Sequence, residues 1–83
     1  MNKILFLEEY DKAVIGIIDE MNPIRIVYSK KKMIDVLVSN GMDKLEAVDH
    51  LEYNVWGAYK GDYTPVYLND LIGTSVQDIL DYI

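Results

Sequence analysis

Glu46 and His50 stand four residues apart, with Tyr53 and Asn54 following at the next helical turn. On a helix all four share one side. A carboxylate beside an imidazole is a minimal arrangement for moving a proton or sharing a metal ion, so a small metal-binding or hydrolytic domain built on Glu46, His50 and Asn54 is one reading of this chain. That chemistry asks for more than the sequence offers. A zinc centre takes two His, or one His with two carboxylates, at about 2.0–2.2 Å, and His50 is the only histidine. Acidic helices produce a Glu-to-His pair at this spacing as an ordinary surface feature. The hydroxyls supply no nucleophile, because Ser29, Ser39, Ser75, Thr64 and Thr74 all stand where caps and turns are expected. There is no G-x-S-x-G, no P-loop and no glycine-rich phosphate cradle. With no Cys there is neither a disulfide framework nor a thiolate metal site. These residues lean towards binding and away from catalysis, and they call for no metal or other cofactor.

The better candidate is an interaction surface made of Asp49, Glu52, Tyr53, Trp56, Asp62 and Tyr63, with Tyr59 beside them. Aromatic anchors set among charges are what protein interfaces use. The competing reading is that Tyr59 and part of Trp56 belong to the core. Charge distribution favours a surface role. The net charge is −6, and it is segregated: residues 1–42 carry six acids and six bases, whereas residues 43–83 carry eight acids against Lys44 and Lys60. An acidic chain of this kind is a poor ligand for nucleic acid or an anionic membrane, both of which are polyanions.

The elements that must hold these residues can be read in order. Residues 1–11 contain the run Ile4-Leu5-Phe6-Leu7, which has no clear period, and are expected as an N-terminal arm or short helix. Ala13 to Ile18 is β-branched and apolar on both faces, which predicts a buried strand, with Gly16 marking a bulge or a close backbone approach. Asp19 to Pro23 turns the chain, and Ile24, Ile26 and Tyr28 then alternate on one face, so the two strands form an antiparallel hairpin. Ser29 is expected to cap a helix whose apolar stripe is Met33, Ile34, Leu37 and Val38 and whose end is marked by Asn40-Gly41. Lys30-Lys31-Lys32 sits badly there, since the first turn of a helix disfavours cations.

Asp43, with Glu46 three residues on, starts a second helix that turns Ala47, Val48, Leu51, Val55, Ala58 and Tyr59 inwards and leaves Trp56 at the border. Thr64 to Leu68 reads as a third strand at an edge of the hairpin, with Pro65 at its start. Residues 75–83 predict a short C-terminal helix, capped by Ser75 and Asp78, that docks through Val76, Ile79, Leu80 and Ile83. The class is α+β: a three-stranded antiparallel sheet covered by two helices, in the order β-β-α-α-β with the short helix last.

At 83 residues the chain is expected to form one domain, 1–83. The apolar run near its start is too short for a signal-peptide core or a membrane span, so a cytoplasmic, soluble protein is expected. A half-exposed Trp56 and the edge strand Thr64 to Leu68 also make a homodimer an open possibility.

The pattern Tyr10-Asp11-x-Ala13-Val14-Ile15-Gly16-Ile17, Val27-Tyr28, Gly41-Met42-Asp43-x-x-Glu46-Ala47, Tyr53-Asn54-Val55-x-Gly57-Ala58-Tyr59-x-Gly61-x-x-Thr64-Pro65 resembles a family of small uncharacterised proteins of tailed bacteriophages and prophages. The resemblance spans about residues 10 to 67. It implies the cytoplasm of an infected bacterium and carries no established activity; with the segregated charge, the expected reading is a phage accessory protein that binds a host or phage protein through its acidic, Tyr-rich second half. Inhibition of a host defence or regulatory protein by mimicry of nucleic-acid charge is the function expected from the resemblance and the acidic second half together. Two features depart from the family pattern: the lysine run Lys30–Lys32 and the tail after Leu68.

Overall fold

Strand β2 (Arg25–Ser29) is the centre of the sheet, and the rest of the chain is arranged around it. A computed structural model describes residues 4–20 and 22–83. Met1 to Lys3, part of the expected N-terminal arm, and Met21 in the hairpin turn lie outside the described residues. Before β1 the chain makes a short 3₁₀ turn, Glu8–Ala13, later than the arm was expected to end. Its entry is fixed by the Leu7 N–H, which donates to the Tyr28 hydroxyl at 2.8 Å.

β1 (Val14–Ile18) pairs antiparallel with β2, so the hairpin forms as expected, with a bulge between Val14 and Gly16. β3 (Val66–Leu68) lies on the other side of β2 and runs parallel to it. The sheet is therefore mixed, where an antiparallel one was expected. The reason is the connection: two helices between β2 and β3 carry the chain over the sheet and return it in the same direction, as parallel neighbours require. The α+β class and the edge position of the third strand stand.

Helix α1 (Lys30–Ser39) begins directly after β2, with the Ser29 hydroxyl accepting from the Lys32 N–H at 3.1 Å. Its end follows the expected glycine stop: Gly41 has φ +101°, and the Met42 N–H reaches back to the Leu37 carbonyl at 3.1 Å. Helix α2 (Lys44–Leu51) is capped by Asp43, whose carboxylate accepts from the Leu45 N–H, and continues as a π-helical turn over Glu52–Trp56. Helix α3 (Val76–Tyr82) carries the expected reciprocal capping box of Ser75 and Asp78.

The core is one cluster: Tyr10, Ala13, Ile26, Tyr28, Met33, Ile34, Ala47, Leu51 and Val55. Burying each of its larger apolar side chains contributes roughly 1.5–3 kcal/mol before entropy is counted. Three expectations about burial fail. β1, predicted to be a buried strand, is an edge whose Val14, Ile15 and Ile17 are exposed, because α1 and the 3₁₀ turn pack on β2 while α2 packs on α1, so the sheet is not covered by two helices as expected. Tyr59, assigned to the core by extending the helical wheel, is exposed, because the regular helix ends at Leu51 and the π-turn resets the angle before Gly57. The C-terminal helix does not dock: α3 has no buried residue, and Val76, Ile79, Leu80 and Ile83 all face out. Asp70 is drawn to the start of α1, and Gly73 turns the chain with φ +90°, so α3 leaves the body of the fold before its stripe can reach it.

Candidate interaction surface

Asp49, Glu52 and Tyr53 lie on the outer side of α2 and its π-turn, and all three are exposed. Tyr53 is 88% exposed. Val55, two residues on, is buried, because positions two apart fall on opposite sides of a helix. Gly57 closes the turn for an equally local reason. A Cβ there would lie 3.0 Å from the Glu52 carbonyl oxygen, so the glycine serves its own helix.

Trp56 takes a different role. It is half-buried against α1: its indole N–H points at the Met33 sulfur at 3.4 Å, and the Lys30 ammonium lies 4.6 Å from the ring centroid. A cation over an aromatic face is attracted by the ring quadrupole. Much of Trp56 is thus occupied inside the molecule, and Lys30 is tethered with it.

The lysine run is accommodated by Asp70, whose carboxylate accepts from the Ser29 hydroxyl and, at 2.9 Å, from the Lys31 N–H. An acid at a helix start offsets the dipole that three lysines oppose. Burial pushes the Asp70 carboxyl up, but the Ser29 and Lys31 hydrogen bonds and the Lys31 charge together hold it below the ordinary carboxylate range. Nothing in the sequence marks a residue 40 positions downstream of Lys30 as this partner.

Asp62 and Tyr63 belong to the loop after the π-turn. Asp62 is exposed and accepts from the Tyr59 hydroxyl at 3.1 Å, in a cleft shared with Asn22, Pro23 and Arg25. That hydrogen bond and the Asp62 charge raise the Tyr59 hydroxyl above the ordinary tyrosine range. Tyr63 is half-buried. The six expected surface residues therefore divide into an outer face of Asp49, Glu52 and Tyr53, a Trp56 shared with α1, and a separate loop group.

No family model matches the chain, and neither does any curated protein or solved structure.

Glu46, His50 and Asn54 are all exposed. The Asn54 amide donates to the His50 carbonyl at 3.0 Å and lies 3.4 Å from His50 Nδ1. Among the described residues no three His, Asp or Glu side chains converge to hold an ion. No described helix is long and apolar enough to cross a membrane.

Proposed function

We propose that this chain is a small acidic accessory protein of a tailed bacteriophage or prophage, acting in the cytoplasm of the bacterial host. It binds a host or phage protein and blocks that partner's nucleic-acid-binding surface by presenting carboxylates where nucleic acid presents phosphates. The observation that carries this reading is the row Asp43, Glu46, Asp49 and Glu52, four exposed acids at every third residue, beside the exposed ring of Tyr53. From Glu46 to Asp49 the step climbs about 4.5 Å along the helix and turns back by about 60°, with Asp43 at the cap before α2 and Glu52 in the π-turn after it. A basic groove that binds a polyanion through ion pairs and stacks bases on aromatic side chains would meet the same two kinds of group here. Lys30 is held over the ring of Trp56.

The test begins with a partner recovered from infected cells. Its affinity for the chain should fall with salt, should drop roughly a hundredfold in an Asp49→Lys/Glu52→Lys variant that keeps its fold, and should be competed by duplex DNA. A folded variant that binds the same partner unchanged, or a partner that holds DNA and this chain together without competition, would remove the mimicry.

A further inference from the structure

Two opposite charges line one cleft without pairing. Arg25, the only arginine of the chain, is half-buried at the start of β2, where its backbone is in register with Ile18 of β1. Asp62 comes from the loop after the π-turn, and Asn22, Pro23, Tyr59 and Gly61 complete the walls of a cavity of about 260 Å³. All 14 acids of the chain lie among the described residues, and none of them is ion-paired with Arg25. One oxygen of Asp62 accepts from the Tyr59 hydroxyl at 3.1 Å, and the other has no partner among the described residues. The fold thus leaves open a guanidinium, whose planar fork of N–H donors matches a carboxylate, and half of a carboxylate that accepts from N–H donors.

Both walls are held in place. Arg25 is fixed by the β1–β2 ladder. The loop that carries Asp62 closes on itself: the Thr64 hydroxyl donates to the Gly61 carbonyl at 2.6 Å and accepts from the Lys60 N–H at 2.8 Å, and Gly61 turns the chain with φ +91°. The Tyr59 hydroxyl, raised above the ordinary tyrosine range by Asp62, keeps its proton at neutral pH and goes on donating.

We infer that this cleft binds a free α-amino acid, with the carboxylate on Arg25, the ammonium on Asp62 and the side chain against the ring of Tyr59. A simple anion would meet Arg25 favourably but be opposed by Asp62, and a simple cation the reverse, so the ligand that satisfies both walls carries both charges. Size agrees with this. Pockets for drug-sized ligands begin at about 300 Å³, and this cavity lies just below that. Tyr59 is 78% exposed, so its ring offers a face to an apolar or aromatic side chain. A small ligand in an open cleft gains little beyond these contacts, and a dissociation constant of about millimolar order is expected. This site does not rest on the reading of the acidic face of α2.

NMR titration of the isotope-labelled full chain with L-phenylalanine tests it. The amides of Arg25, Tyr59, Gly61 and Asp62 are expected to shift together with one binding constant. N-acetyl-L-phenylalanine lacks the ammonium and L-phenylalaninamide lacks the carboxylate, so each should bind about tenfold more weakly. Variants then assign the charges. Arg25→Gln should no longer distinguish L-phenylalanine from its amide, and Asp62→Asn should no longer distinguish it from the N-acetyl compound. The spectra of the variants report their folding, and the comparison of the three compounds on the unaltered chain needs no variant. No shift around the cleft at roughly tens of millimolar L-phenylalanine, a blocked compound that binds as well as the parent, or inorganic phosphate that shifts the same amides as strongly would overturn the inference.

Discussion

β1 and β2 lie side by side on one ladder, and their fates are opposite. Ile17 and Ile26 are register partners, yet Ile17 is 54% exposed and Ile26 only 3%. β2 contains Arg25 and Ser29, β1 no polar side chain at all, and still β2 is the strand inside. Burial in this sheet is set by position: β2 has a strand on each side and α1 and the 3₁₀ turn packed on it, whereas β1 has a neighbour on one side only.

The contrast can be broken most forcefully at that isoleucine pair. Ile26→Ala should cost about 3 kcal/mol of stability, the usual scale for a truncation that leaves a cavity in the core. Ile17→Ala should cost less than about 1 kcal/mol. Urea denaturation of the two variants reads the difference, and similar losses would mean that β1 is as buried as β2.

The buried tyrosines repeat the comparison on a smaller scale. The Tyr28 hydroxyl accepts from the Leu7 N–H, whereas those of Tyr10 and Tyr67 are buried with no partner among the described residues. Burial raises both of the latter above the ordinary tyrosine range, with the Glu9 charge adding to it for Tyr10 and the Tyr28 and Tyr10 hydroxyls for Tyr67. Tyr28→Phe should therefore cost about 1–2 kcal/mol, because it strands a backbone donor. Tyr10→Phe should cost nothing or add a little stability, and thermal melts of the pair check the ordering.

The smallest effect is expected at the junction of β2 and α1. Replacing Asp70 by Asn should cost about 1 kcal/mol near neutral pH, typical of a weakened helix start. Asp70 titrates below its unfolded value. The stability it supplies is therefore whole above the ordinary carboxylate range and is lost as pH falls through its lower native value. Acid unfolding of Asp70→Asn should lack that component, and identical acid profiles for the two proteins would rule out the carboxylate as the stabilising group.

What was legible in the sequence was local. Ser29, Gly41 and the Ser75–Asp78 box act within a few residues of themselves, and each does what its position implies. The stripe Ala47, Leu51 and Val55 reads correctly because its period is intrinsic to the helix. The misreadings depend on distant partners or on a break in the period. The direction of β3 depends on the crossover, and the exposure of β1 on which elements pack on the sheet. The holding of Trp56 by Lys30 depends on a contact between residues 26 positions apart. Tyr59 was misplaced because a π-turn cannot be seen in a pattern that assumes 100° per residue. α3 was expected to dock because its stripe is apolar, but an apolar stripe states only that a cover is favourable, and its own fold does not provide one.

The most direct measurement is amide hydrogen exchange along Val14–Ile18, followed by NMR. The amides of β1 that point away from β2 should exchange freely, while those bonded to β2 stay protected. Protection of every amide along the strand would contradict the place of β1 at the edge of the sheet.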